Sequence, residues 1–206
     1  MFIYGLTIND INKKIYWKKV NNNILCKYNI HKKYEQFLNY KKKRKCTIMK
    51  VAVIMGSKSD YSKLEEGIEL LERYGVEVAV RALSAHRTPK QLTKFLGEIE
   101  NDTDVIIAAA GKAAHLPGVI ASHTLIPVVG LPIKSSTMDG LDSLLSIVQM
   151  PKGIPVATVT IDLGLNAALM ALQIMSIKYP VLKENLKLYR EEMEAKVLED
   201  DKNLRG

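Results

Sequence analysis

Cysteine is nearly absent from this chain of 206 residues: Cys26 and Cys46 are the only two, and both precede residue 49. From Met49 onward there is none, so neither disulfides nor thiolate metal sites can support that part. Aromatic residues are scarce at 6%, and the single Trp, Trp17, also lies in the first segment. No apolar run approaches the roughly 18–20 residues of a membrane span. Two nucleotide-binding signatures are missing as well. A Walker A loop needs Gly directly before its Lys and another Gly five residues earlier; around Lys58 those places hold Ser57 and Ala52. The dinucleotide fingerprint G-x-G-x-x-G is nowhere in the chain. A disulfide scaffold from Met49 onward, an apolar membrane-spanning helix and the two commonest nucleotide-binding motifs are thereby excluded.

What is present divides at residue 48. The chain carries 30 Lys and Arg against 22 Asp and Glu, a formal net charge of +8. Residues 1–48 alone hold 11 Lys and Arg44 with only Asp10 and Glu35 as acids, so their balance is +10 and that of the remainder is −2. The same segment has neither Ala nor Ser, and Lys, Asn, Ile, Tyr and Phe fill most of it. A secretory signal needs an unbroken apolar core, which Lys13, Lys14, Lys18 and Lys19 interrupt. A transit peptide should be rich in Arg and Ser. A nucleic-acid-binding arm is the competing reading, carried by the basic block Lys41–Lys45. The favoured expectation is a disordered tail or a misplaced start, because these residue types are the ones A/T-rich codons encode and Met49 stands directly before the first apolar strand. Residues 49–206 have the length of one domain, able to bury roughly 70% of their unfolded surface.

Within that body, strand and helix patterns alternate. Lys50–Met55 is an apolar run of the kind buried on both faces in a parallel sheet. Val76–Ala82, Asp104–Ala110, Ile126–Gly130 and Ile154–Thr160 supply four more strands. Between them lie amphipathic stretches: one with Leu64, Ile68 and Leu71 that stops near Gly75, one opened by Thr88 as N-cap and Pro89 at N1, and one at Leu141–Gln149. Asn166–Ile177 is apolar on nearly every face, and a charged helix from about Val181 to Glu199 follows Pro180. The alternation predicts a single-domain, doubly wound α/β fold with three layers (αβα), and five strands favour the flavodoxin-like order 2-1-3-4-5. The all-round apolar helix predicts burial between subunits and hence a homo-oligomer.

Ligands of such sheets bind beyond the carboxyl ends of the strands. Three loops there carry unusual residues. Gly56–Asp60 offers small residues, the hydroxyls of Ser57 and Ser59 for a phosphate at a helix N-terminus, and a carboxylate, Asp60, suited to a ribose diol. The plain alternative is that Ser59 or Asp60 is an N-cap. Ser84–Pro89 puts His86, a residue type that can both give and take a proton, beside Arg87, whose fork suits phosphate; the plain alternative is a solvated loop. Gly111–Gly118 holds His115 among small apolar residues that could exclude water, or His115 merely caps its own helix. His123 has no comparable context and reads as structural.

GSKSD (56–60), SAHRTP (84–89), AGKAAHLPG (110–118) and GLDSLLSIVQMPKGIPVATV (140–159) together resemble the motifs of class I N5-carboxyaminoimidazole ribonucleotide mutases, the catalytic subunit family of phosphoribosylaminoimidazole carboxylase in purine biosynthesis. The resemblance runs from Lys50 to about Glu199 and leaves out residues 1–48. It implies a cytoplasmic, flavodoxin-like octamer that uses no metal, ATP or biotin and binds a small ribonucleotide rather than nucleic acid or membrane. The implied reaction moves a carboxylate from an exocyclic nitrogen to ring carbon 4 by decarboxylation, retention of CO2 and recarboxylation. The resemblance also implies His86 as the catalytic residue, Arg87 with Ser57 and Ser59 on the phosphate, and Asp60 on the ribose. Ser84, Gly111, His115 and Leu116 are implied to line the pocket. Direct carboxylation by CO2, as in class II relatives, is the alternative chemistry. One departure is Lys112, where many members have Gly: a left-handed conformation there would be strained by Lys.

Overall fold

The computed structural model describes residues 48–205, so the expectation for the basic segment falls on residues 1–47, outside the described residues. The body forms one unit. Its five strands are β1 (Lys50–Met55), β2 (Glu77–Ala82), β3 (Val105–Gly111), β4 (Val128–Ile133) and β5 (Ala157–Thr158). The helices are α1 (Glu65–Arg73), α2 (Pro89–Ile99), α3 (Leu116–Ala121), α4 (Leu141–Val148), α5 (Gly164–Met175) and α6 (Pro180–Arg205), with a 3-10 turn at Lys58–Lys63 leading into α1. All strand pairs are parallel and the order is β2-β1-β3-β4-β5, the expected doubly wound arrangement.

Alternation along the strands decides what lies on each face. Val51, Val53 and Met55 of β1, with Val105, Ile107 and Ala109 of β3, point to one side. There they meet Leu64, Ile68 and Leu71 around α1, Ala168 and Leu172 of α5 and Leu182 of α6. Ala52, Ile54, Ile106 and Ala108 point the other way, against Leu92 and Phe95 of α2, Ile120 of α3 and Ile147 of α4. Burying each of the larger aliphatic chains stabilises the fold by about 1.5–3 kcal/mol. Both faces of β1 and β3 are therefore apolar, which explains the unbroken apolar runs of their sequences.

Four local expectations are corrected. The fifth strand pairs only at Ala157–Thr158, not over Ile154–Thr160. Pro155 has no N–H to give a ladder, and Ile154 N–H is used by Pro151 O in a turn completed by Gly153 at φ +97. The last helix is longer than expected, reaching Arg205. Thr88 precedes α2 with Pro89 at N1, but its hydroxyl makes no cap bond; it is committed to Ser84 instead. The cap of the 3-10 turn is Ser57, not Ser59 or Asp60. α5 places Ala167, Ala168, Ala171, Leu172 and Met175 in the core, while Leu165, Leu169, Met170 and Ile174 are half-buried.

Candidate active site

The loops after β1, β2 and β3 meet because those strands are neighbours and all run in one direction. The site starts from local hydrogen bonding. Ser57 Oγ accepts from Ser59 N–H at 3.3 Å and from Ser59 Oγ at 2.8 Å, while Asp60 Oδ2 accepts the Ser57 N–H at 3.1 Å. This reciprocal box fixes the first turn, and the Gly56 N–H donates to Ala109 O of β3 at 3.1 Å. The hydroxyl that caps the turn, Ser57, is thus also one of those expected to meet a ligand, and the exposed Ser59 hydroxyl lies beside it.

The second loop is closed by Thr88. Its Oγ1 accepts the Ser84 N–H at 2.8 Å and donates to Ser84 O at 3.1 Å, and Ser84 Oγ accepts the Arg87 N–H at 3.2 Å. The Ser84–Thr88 segment is thus a self-braced knob that presents His86 and Arg87, both exposed, from a fixed backbone. Arg87 Nη2 donates to Gly56 O at 2.7 Å, which ties the second loop to the first and leaves the other guanidinium N–H groups for an anion.

The third loop joins through imidazoles. His86 Nε2 and His115 Nδ1 are 2.8 Å apart, with ring centroids 4.9 Å apart and planes at 76°. One hydrogen bond at that distance requires one of the two nitrogens to carry hydrogen and the other to be bare. The pair can therefore hold a proton and pass it on. His115 makes no cap bond to α3, so the capping alternative is corrected. Gly111 leaves β3 with its Cα against Ile133, where an added Cβ would stand 3.3 Å from the carbonyl. Leu116 is only 3% exposed and packs in the core beneath this loop, so only its backbone can face a ligand. His123 bonds Val119 O at 2.8 Å and is structural, as expected. Lys112 has φ +56, so the conformation that disfavours Lys is the one it adopts.

Asp60 is half-buried, and burial pushes its carboxyl above the ordinary value. Hydrogen bonds from Ser59 and the Ser57 backbone and the Arg87 charge oppose the rise, while the Asp162 charge adds to it. Sequence reasoning missed three parts of this arrangement: the Gly56 carbonyl that receives Arg87, the bracing hydroxyl of Thr88, and Asp162. A Thr two residues after His86 could have signalled the second; no local signal pointed to the others. Among the described residues, no group of three or more His, Cys, Asp or Glu side chains could hold a metal ion, and no helix is long and apolar enough to cross a membrane. A groove of about 360 Å³ between β5 and α5, lined by Thr158, Asn166 and Met170 among others, includes none of the candidate residues.

The match to known proteins covers the same body. Residues 50–196 match the family model described as AIR carboxylase. An N5-carboxyaminoimidazole ribonucleotide mutase of Pyrococcus abyssi is 58% identical over 145 residues, spanning 70% of this chain and 83% of the relative. The enzyme of the same name from Thermotoga maritima is 47% identical over 156 residues, spanning 75% of this chain and 91% of the relative. The crystal structure of Treponema denticola PurE superposes with a TM-score of 0.70 at 31% identity, covering 76% of this chain and 99% of that one. The chain belongs to the AIR carboxylase family.

Proposed function

We propose that this chain interconverts N5-carboxyaminoimidazole ribonucleotide and 4-carboxy-5-aminoimidazole ribonucleotide, an intramolecular carboxylate transfer of purine biosynthesis. The observation that carries the reading is the pair of hydrogen bonds that join three loops at the carboxyl ends of adjacent strands, Arg87 to Gly56 O and His86 to His115 from neighbouring positions of one loop. The names of the relatives support the same chemistry. Arg87 and the hydroxyls of Ser57 and Ser59 take the phosphate; Asp60 takes the ribose diol; Ser84, Gly111, His115 and the backbone of Leu116 border the base.

In this reading His86 gives a proton to the exocyclic nitrogen as the nitrogen–carboxylate bond breaks, releasing CO2 beside the ring. Ring carbon 4 attacks the trapped CO2, and His86 takes back the proton that carbon 4 loses. Atoms and charge balance without a co-reactant. His115, 2.8 Å away, can hold His86 in the required tautomer between the two transfers.

The test is His86→Asn. It should fold and bind ribonucleotide while losing turnover; activity near that of the unmodified enzyme would overturn the role of His86. Supplying the N5-carboxylated substrate should give turnover far above that from the uncarboxylated ribonucleotide with bicarbonate. The reverse ranking would assign direct carboxylation.

The reading includes a cytoplasmic homo-oligomer, an octamer by family resemblance. His86, Arg87 and His115 are exposed on the single chain, yet retention of CO2 requires exclusion of water. Met138, Leu141, Leu145 and Val148 form an apolar stripe on and before α4, each about half exposed. A second copy supplies the missing cover. Native mass spectrometry should give eight chain masses, and a monomer would refute it.

A further inference from the structure

Asp162 lies in the connection between β5 and α5 with φ +59, in the left-handed region that few side chains adopt. Its two carboxylate oxygens serve two other connections. Oδ1 accepts the Lys134 N–H at 2.7 Å, where the chain leaves β4. Oδ2 pairs with Lys63 Nζ at 3.1 Å, at the far end of the 3-10 turn that begins with the Ser57, Ser59 and Asp60 cluster. The Asp162 N–H donates to Pro132 O at 2.9 Å, which fixes the residue from its own backbone. The Asp162 side chain is 20% exposed, so this ion pair is partly withdrawn from solvent.

A second contact reinforces the first. Two residues on, Gly164 lies so close under the end of the turn that an added Cβ would stand 2.8 Å from Leu64 Cα. The turn is therefore held at its start by the Ser57–Asp60 box and at its end by Gly164 and the Asp162 carboxylate. A left-handed position alone is met by Gly, Asn or Asp. Of these three only Asp can accept the Lys134 N–H with one oxygen and pair with the Lys63 ammonium through the other.

We propose that Asp162 is a positioning residue for the ribonucleotide: by holding Lys63 it fixes the 3-10 turn, and with it the hydroxyls and carboxylate of Ser57, Ser59 and Asp60. This role rests on the proposed reading of those three residues as substrate contacts. Asp162 itself touches no reacting atom, so its loss should weaken binding and leave the proton transfers at His86 intact.

Asp162→Asn keeps a residue tolerant of positive φ and an acceptor for the Lys134 N–H, but it cannot pair with Lys63. It should raise KM about three- to tenfold with kcat within about twofold, the size expected when one partly exposed ion pair orders a binding loop. Lys63→Met should do the same, and the double variant should be no worse than either single one, since both remove one interaction. Lys63→Arg should restore a low KM. Should Asp162→Asn fail to fold, Lys63→Met carries the test alone. Asp60→Asn and Arg87→Ala are measured alongside. If these two leave KM unchanged, the reading of the site itself fails and the proposal with it. If they raise KM while Asp162→Asn and Lys63→Met leave it within twofold, or lower kcat instead, the positioning role is overturned and the site reading stands.

Discussion

Two glycines inside helices should respond to alanine in opposite directions. Gly67 in α1 faces the start of α5: an added Cβ would stand 2.5 Å from Gly164 O, 2.8 Å from Gly164 C and 3.2 Å from Ala168 Cβ. The two nearest atoms are backbone and cannot rotate away, so one helix must move by most of an ångström. Overpacking of that kind costs about 1–3 kcal/mol. The gain in helix propensity from Gly to Ala returns only about 0.8–1 kcal/mol. Because the contact lies at the tight end of that range, Gly67→Ala should lose about 1–2 kcal/mol net. Gly97 in α2 has nothing within 4 Å of its Cβ position and sits on an exposed face. Gly97→Ala should therefore gain about 0.5–1 kcal/mol from propensity alone.

Thermal unfolding at fixed protomer concentration reads both, since association shifts Tm. For a body of this size each kcal/mol moves Tm by roughly 2–4 °C. Gly67→Ala should fall by about 2–8 °C and Gly97→Ala should rise by about 1–4 °C. A Tm for Gly67→Ala at or above that of the unmodified protein would show that α1 and α5 are not in backbone contact. The close crossing, and the seat it gives Lys63, would then be wrong.

Lys112→Gly should stabilise the protein by about 0.5–1 kcal/mol, because relief of the left-handed strain at φ +56 exceeds the entropy that Gly adds to the unfolded chain; urea unfolding at constant slope checks it. Thr88→Val removes both bonds to Ser84 and should cost about 1–2 kcal/mol, with a larger fall in kcat/KM than in stability, since the same knob presents His86 and Arg87. Asp60 has a folded pKa raised above its ordinary 3.8, so its ionisation works against the fold. The unmodified protein should lose stability relative to Asp60→Asn as pH rises from about that value through the folded pKa, and denaturant curves measured across this window should diverge with increasing pH.

The fold was legible where period and topology agree. Apolar runs marked β1 and β3 because both faces are covered, and five strands alternating with helices favoured the order that the sheet has. The three functional loops were legible for a related reason: parallel neighbours β2, β1 and β3 bring their carboxyl ends together, so residues far apart in sequence fall on one rim. The misses have a common physical cause. Thr88 could have capped α2, but its hydroxyl had a competing partner in the Ser84 backbone, and sequence pattern does not rank two hydrogen bonds of similar strength. The run Ile154–Thr160 has strand composition, yet Pro155 and the Gly153 turn consume the pairing it would need.

Asp162 was illegible for a different reason. It follows β5, at the sheet edge away from β2, and nothing in its neighbourhood suggests a link to the loop after β1. That link exists because α5 crosses back under the sheet and packs on α1, which places the start of α5 beneath Lys63. Glycine at 67 and 164 is what lets the helices come that close. Two glycines thus permit the approach that puts a carboxylate from one edge of the domain within reach of a turn at its centre.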